Sequence, residues 1–353
     1  MYKNFFMGIA AVAALTLVSC SSDDLNSFSD NSSKNEAISF DGYLGRSAVA
    51  VNGTRGSVLE IGDLQKSDKG FGVFGNYSTT AGTTPTYGKN LFENEQVKYS
   101  TSNSTSTKWA YTNTKYWPTV GHIDFLAYAP FDNSKTLSET KIDFTVSQAV
   151  TEQKDLLWAN AANKTKKDNP VKFTFNHALS RLGYTVKLND DYTGTTITLK
   201  KITLAGAPDG TKEAFYKGGT IDLSKGNKAA KLWTISAPAD KQNFEWFSGA
   251  KLLSKTDATE NSNKEYLFVI PQDFSATTAT DELYVIVEYT IQTGATVAMT
   301  SKVYKKLDNK FEQGNAYTLN LTIGLTPIEF DADVTKWEIP TDGEINIGSD
   351  SWN

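Results

Sequence analysis

The sequence predicts an all-β protein composed of two tandem Greek-key β-sandwiches. Apolar residues recur at every second position in many short segments, and turn signals such as Asp209-Gly210 and Gly314-Asn315 separate these segments. Aromatic residues make up 12% of the chain, and Thr, Ser, Asn and Gly are abundant. This composition favours strands and turns over helix bundles.

Residues 1–19 have the pattern of a signal peptide. Lys3 precedes an apolar run from Phe5 to Val18, which is about the length of a signal-peptide core and short for a membrane span. The run ends at Cys20, the only cysteine of the chain, and this junction resembles the lipobox of bacterial lipoproteins. We therefore expect Cys20 to be acylated and to attach the precursor to the outer membrane.

The segment 20–36 is predicted to be a flexible polar tether. Its beginning, Ser21–Asp24, resembles the surface-export signal of Bacteroidota lipoproteins. The net charge is only −5, and the basic residues are spread along the chain, so a nucleic-acid partner is not expected.

Two units are predicted, with a division at Asn169-Pro170. The first covers residues 37–170 and the second covers residues 171–340, and a polar tail follows at 341–353. Alternating strands include Ile123–Ala129 in the first unit and Leu182–Leu188 in the second. Gln148–Ala162 is the one stretch whose pattern admits a helix.

The sequence contains few of the residue patterns that catalytic sites need. Its two histidines, His122 and His177, lack the further ligands that a zinc site needs. The sequence also has no Gly-x-Ser-x-Gly motif to supply a nucleophilic serine beside them. Both histidines are therefore interpreted as packed or turn residues. The carboxylate pair Asp190-Asp191 is interpreted as solvated rather than catalytic. We predict no enzyme activity, no cofactor and no metal.

Aromatic clusters leave a second function open. Trp109 and Trp117 lie with two tyrosines, and Trp246 lies between two phenylalanines. Tryptophans at strand ends usually pack in the core, but exposed coplanar rings would bind sugars. The alternative function is therefore a surface lipoprotein that binds glycans or host ligands and does not polymerise.

Several strings in order resemble the fimbrillin family of Bacteroidales, the type V pilin subunits. They are Phe71–Phe74, Trp109–Pro118, Ile123–Pro130, Asp155–Ala159, Val171–Leu182, Phe311–Ile323 and Val334–Trp337. The resemblance runs from about residue 37 to residue 340. It implies transthyretin-like sandwiches and a structural or adhesive subunit of extracellular fimbriae.

The resemblance also implies a maturation pathway. Such subunits reach the cell surface as lipoproteins, and an arginine-specific protease then removes the lipid, the tether and the first strand. A strand from another fimbrial subunit fills the groove that this loss opens.

The residues that would serve this pathway begin with Ile38–Leu44, the candidate first strand. Arg46 and Arg55 follow it between small residues, so the removable segment is 37–46 or 37–55. Arg55 is closer to the next strand, whereas Arg46 directly follows the first one. The alternative is that both are ordinary solvated arginines.

The candidate donor strand lies near the other end of the chain. Ile328, Phe330, Ala332 and Val334 form an apolar face that alternates with polar residues. The alternative is that this strand closes the chain's own second unit. The polar tail from Thr341 to Asn353 fits a stalk-type donor poorly, and a tip subunit needs no donor strand.

Overall fold

The computed structural model describes residues 36–44, 61–66, 68–80, 84–100, 109–227, 229, 231–261, 266–275 and 281–325. Strands dominate these ranges, which confirms the predicted all-β class. Helical structure there consists of α1 (Ile61–Lys66) and two 3₁₀ turns at Val150–Glu152 and Lys166–Asp168. No helix among the described residues is long and apolar enough to cross a membrane.

The part of residues 1–177 that the structure describes contains eight strands: β1 (Phe40–Leu44), β2 (Phe71–Ser78), β3 (Phe92–Tyr99), β4 (Trp109–Ala110), β5 (His122–Ala129), β6 (Lys141–Thr145), β7 (Leu157–Lys164) and β8 (Val171–His177). Seven of them close a barrel in the order β1-β4-β3-β2-β5-β7-β8. The spatial order β5-β2-β3-β4 is that of a Greek key. The first of the described strands, β1, thus completes the ring, since it lies between β4 and β8.

The central strand β5 is buried on both of its faces because it lies between two cores. Every residue from His122 to Ala129 is buried. Ile123, Phe125 and Ala127 point into the barrel, whereas Leu126 and Tyr128 belong to a second, larger core. The period of two along β5 therefore serves two cores at once.

Fourteen strands follow in the described residues after His177: β9 (Ser180–Leu188), β10 (Thr195–Ala205), β11 (Phe215–Tyr216), β12 (Gly218–Asp222), β13 (Trp233–Thr234), β14 (Lys241–Gln242), β15 (Phe244–Leu252), β16 (Thr259–Glu260), β17 (Leu267–Val269), β18 (Gln272–Asp273), β19 (Tyr284–Thr293), β20 (Met299–Lys306), β21 (Lys310–Phe311) and β22 (Ala316–Ile323). One sheet has the order β15-β10-β19-β20. In the other, β9 pairs with β16 and β17 and lies parallel to β22. Side chains of both sheets fill the larger core, as in a β-sandwich.

The two halves of the chain share hydrogen bonds as well as this core. β6 pairs with β12 and forms a three-stranded sheet with β13. The indole Nε1 of Trp158 donates to the carbonyl of Lys225 at 3.1 Å. β8 pairs with β1 and β7, which favours a boundary after His177, and the predicted division at residue 170 stays a prediction.

The helical interpretation of Gln148–Ala162 is wrong. The segment contains a 3₁₀ turn and then most of β7. Leu157, Ala159 and Ala161 alternate into the barrel core, while Trp158 packs on the opposite side. Alanines fit this strand because the barrel interior is already filled by large aromatic rings.

Trp158 is fully buried where the barrel meets the sandwich, so its loss should destabilise both. We expect Trp158→Ala to lower the free energy of unfolding by about 3–5 kcal/mol and to shift a single urea transition that both halves share. Tyr304→Ala, at an exposed ring, should shift it by about 0.5 kcal/mol or less. Two separate transitions, followed by tryptophan fluorescence and far-UV circular dichroism, would contradict the shared core.

Candidate functional site at the barrel seam

The barrel seam, defined as the place of β1 between β4 and β8, is the candidate functional site. β1 runs parallel to β8 in a five-residue register from Phe40 opposite Val171 to Leu44 opposite Phe175. Against β4 it has one antiparallel pair, Phe40 with Trp109. β1 is therefore held mainly by one neighbour, and it bridges a ring that is otherwise closed.

Residues just before β1 continue the pairing towards the segment that follows β4. The backbone N–H of Ile38 donates to Lys115 at 2.8 Å, and that of Trp117 donates to Glu36 at 2.9 Å. The Tyr111 hydroxyl donates to the Ile38 carbonyl at 2.8 Å. Burial is the main cause that raises the pKa of Tyr111, which keeps this hydroxyl protonated.

Phe40 fills the centre of the barrel core. Its side chain is 1% exposed and lies 5.5–6.5 Å, centroid to centroid, from five aromatic rings. The ring of Phe173 stacks on it, and those of Phe92 and Phe125 meet it edge to face. Such pairs contribute about 0.5–1.5 kcal/mol each beyond the burial of their area.

Gly42 occupies the next inward position of β1. A Cβ added there would lie 3.3 Å from Cε2 of Phe175 and 3.7 Å from Cε1 of Phe71. Asp41 and Tyr43, on the other face, are exposed. The seam thus accepts a large side chain at position 40 and only a very small one at position 42.

A polar cluster holds the segment that leads into β1. The side-chain amide of Asn169 accepts from the Ser39 backbone N–H at 2.9 Å and donates to the Ala37 carbonyl at 3.1 Å. Glu36 accepts from the same amide at 2.7 Å and lies 3.4 Å from Lys166 Nζ. The sequence pattern predicts Asn169 only as a boundary residue, and its place just before a strand is the signal that points to this further role.

Most of the predicted site residues lie outside the described residues: Cys20, Arg46, Arg55, Ile328, Phe330, Ala332 and Val334. Both candidate cleavage arginines nevertheless fall in residues 45–60, directly between β1 and α1. The chain has one further arginine, Arg181, within β9. Two neighbouring strands, β17 and β22, flank Arg181 on either side.

Residues singled out for other chemistry are packed inside. His177 Nδ1 lies 2.6 Å from Asp155 Oδ2, and His122 Nε2 lies 3.2 Å from Asp124 Oδ2, and both histidines are buried, as the packing interpretation predicts. Trp109, Trp117 and Trp246 are buried as well. These rings cannot act as the exposed platforms that sugar binding needs.

Comparison with known proteins identifies the family. Residues 54–337 match the model of a family described as fimbrillin-like. The chain is 24% identical to the fimbrium subunit Fim1C of Phocaeicola vulgatus, over 96% of this chain and 98% of that protein. Its fold is similar to the crystal structure of a fimbrial protein from Bacteroides vulgatus, with a TM-score of 0.65 and 22% identity, covering 86% of this chain and all of that one. The resemblance seen in the motifs is confirmed, and the chain belongs to the fimbrillin-like family.

Proposed function

We propose that this protein is a subunit of cell-surface fimbriae that is exported as a lipoprotein through Cys20 and assembled by strand exchange. Cleavage at Arg46 or Arg55 by an arginine-specific protease would release β1, and a strand of another subunit would replace it. Family membership supports the fimbrial role. The observation that carries the exchange step is that β1, the first of the described strands, closes the barrel around Phe40.

The seam binds β1 in the way a peptide-binding groove binds its ligand. Main-chain hydrogen bonds hold both edges, and alternate side chains enter the core. Loss of β1 would leave two unpaired strand edges at β4 and β8 and a ring-lined cavity open to water. Unpaired edges and exposed apolar surface both favour the capture of another strand.

The distribution of arginines supports cleavage at the predicted place. Arg46 and Arg55 are in the connection after β1, whereas Arg181 is part of a central strand. The Arg181 backbone N–H donates to Asn315 at 3.0 Å, and its guanidinium lies 4.2 Å from the ring centroid of Tyr266. Proteases need several residues in an extended, accessible conformation, so the paired β9 backbone is a poor substrate.

A cut at either site would spare α1. Leu64 of this helix is fully buried in the barrel core, so the helix would remain as part of the mature barrel. The family match begins at residue 54, after β1 and next to Arg55.

The predicted donor strand repeats the sequence pattern of β1. Ile38–Leu44 reads ISFDGYL and Ile328–Val334 reads IEFDADV. Both place isoleucine, phenylalanine, a very small residue and an aliphatic residue at alternate positions, with Asp after Phe. In this alignment Phe330 takes the position of Phe40.

Ala332 then takes the position of Gly42. A Cβ built at position 42 lies 3.3 Å from Cε2 of Phe175, and the Cβ of Ala332 would take about the same place. The Phe175 ring would therefore have to move by a few tenths of an ångström. Any larger side chain would collide with the ring. The donor pattern therefore satisfies the most restrictive position of the seam, and a second copy of this chain is a suitable partner.

Limited proteolysis tests the cleavage step. We expect an arginine-specific protease to cut the chain lacking residues 1–20 after Arg46 or Arg55 and to leave Arg181 intact, because Arg181 lies in a strand that is paired on both sides. Intact mass would identify the cut. The double variant Arg46→Ala/Arg55→Ala should resist the protease, and Arg181→Lys should be cut like the wild type. Resistance of the wild type would contradict the processing step.

Phe40→Ala tests whether β1 is released. The change should cost the uncut chain about 3–5 kcal/mol in free energy of unfolding, because it leaves a cavity among five rings. After cleavage and release of β1 the two proteins should be equally stable, since the altered residue has left. Tyr43→Ala, on the exposed face of β1, is the matched control and should cost about 0.5 kcal/mol or less in urea unfolding.

A stability difference that persists after cleavage would mean that β1 stays in the seam. A cost for Phe40→Ala no larger than that for Tyr43→Ala would contradict the central role of the ring.

Phe330→Ala tests the donor. After cleavage, the wild type should form ladders on size exclusion over hours, whereas Phe330→Ala should stay monomeric because it cannot fill the place of Phe40. Glu329→Ala, on the opposite face of the same segment, should polymerise like the wild type. If Phe330→Ala destabilises the uncut monomer in urea, the segment closes its own second unit. Polymerisation at the wild-type rate would assign the donor elsewhere.

A further inference from the structure

We infer that Asn169 is a main-chain clamp that holds whichever strand occupies the seam, a role that rests on the strand exchange proposed above. Its Oδ1 accepts from the Ser39 backbone N–H and its Nδ2 donates to the Ala37 carbonyl. A backbone N–H can only donate and a carbonyl can only accept, so these two partners fix the orientation of the amide.

The amide continues the β8 ladder where the backbone cannot. The Ser39 carbonyl accepts from the Val171 backbone N–H at 2.8 Å, in the parallel pattern of β1 and β8. The next step of such a ladder would use the backbone of Asn169 for the Ser39 N–H and the Ala37 carbonyl. That backbone N–H instead donates to Lys166 at 3.3 Å within the 3₁₀ turn. The side chain supplies an equivalent acceptor and donor, so it acts as an additional peptide group before Pro170.

The turn that carries Asn169 is fastened by its own capping contacts. The backbone N–H and the hydroxyl of Thr165 donate to Asp168 Oδ2 at 2.9 and 3.1 Å. The hydrogen bond from the Thr165 backbone is the main cause that lowers the pKa of Asp168, which is ionised at neutral pH. None of these contacts involves β1, so the turn can present the amide before a strand arrives.

The clamp recognises groups that almost any strand carries. It needs an N–H at position 39 and a carbonyl at position 37. In the alignment of Ile328–Val334 with β1, these are the N–H of Glu329 and the carbonyl of Pro327, and proline retains its carbonyl. The class of ligand is therefore the main chain of an extended peptide.

Two residues of the chain's own segment, Ser39 and Glu36, make additional side-chain contacts. The Ser39 hydroxyl donates to Asn169 Oδ1 at 2.8 Å, and Glu36 both accepts from the amide and pairs with Lys166. The aligned donor has Glu329 and Thr326 at these positions. The contacts shared by the two strands are those to main-chain atoms.

Peptide exchange measures the clamp directly. The full chain lacking residues 1–20 is cut with an arginine-specific protease, and fluorescent peptides of residues 36–44 or 326–334 compete for the seam in an anisotropy assay. N-methylation of Ser39 in the first peptide, or of Glu329 in the second, should weaken binding to the wild type about tenfold or more. The same methylation should change binding to Asn169→Ala less than about twofold, because its partner is gone.

Two controls separate the clamp from general damage. N-methylation of Ile38, whose N–H donates to Lys115, should weaken binding to the wild type and to Asn169→Ala alike. Asn176→Ala removes an amide of β8 that donates to Thr174, and it should behave like the wild type.

Asn169→Asp keeps the acceptor and loses the donor, so it should bind both peptides more weakly and retain sensitivity to methylation of Ser39.

The outcomes distinguish a failure of the Asn169 clamp from a failure of strand exchange itself. Equal losses from Ser39 methylation in the wild type and Asn169→Ala would overturn the clamp, as would a donor peptide that binds both proteins equally. If no peptide exchanges into the wild type, strand exchange itself fails, and so does the clamp's role for incoming strands. The contact of Asn169 with β1 is then tested by amide hydrogen exchange of the uncut chain. Asn169→Ala must accelerate the exchange of the Ser39 backbone amide and leave that of the Ile38 amide unchanged.

Discussion

The barrel depends on the contact of one side chain, Phe40, with aromatic rings that come from around its whole circumference. These rings are Phe71 of β2, Phe92 of β3, Tyr111 after β4, Phe125 of β5 and Phe173 of β8. Each of them lines the same interior and reaches Phe40 from a different side. The central packing position of the barrel is therefore occupied by its most peripheral strand in sequence. A core arranged in this way cannot stay closed and dry unless some strand occupies the seam, because a cavity of that size is costly.

If strand exchange proceeds as proposed, this arrangement would make proteolysis an effective trigger. While β1 is part of the chain, its link to α1 keeps it at a high effective concentration beside the seam, and a donor from solution competes poorly. The proposed cleavage within residues 45–60 would remove that advantage and would leave the hydrogen bonds and ring contacts of β1 in place. In the proposed exchange, a donor with the same pattern would then need only comparable affinity, because the cut β1 would also have to rebind from solution. In this proposal, the exchange is controlled by covalent connection and not by a change in the groove.

Local periodicity revealed most of the strands, since alternation in β5, β8 and β9 is a property of consecutive residues. It could not reveal that β1 runs parallel to β8, because strand pairing across some 130 residues leaves no local mark. β7 was open to a helical interpretation because its alanines suit either structure, and the crowding of the barrel interior decided for a strand. The role of the Asn169 side chain cannot be predicted from the sequence for a related reason. Its amide matters only because the turn at Lys166–Asp168 occupies the backbone N–H that would otherwise continue the ladder.

Selectivity at the seam then arises from two positions that read side-chain size. Main-chain hydrogen bonds and the Asn169 amide accept nearly any extended segment, so they supply affinity with little discrimination. Position 40 demands a large ring to fill the space among the five aromatics, and position 42 excludes anything much larger than glycine or alanine because of Phe175. A segment with the small residue at position 40 and the large ring at position 42 leaves a cavity at the first position and collides with Phe175 at the second. The seam therefore excludes such a segment both by steric conflict and by the loss of favourable contacts. Phenylalanine followed two residues later by a very small residue is thus the minimal pattern that this seam can accept, and Ile328–Val334 carries it.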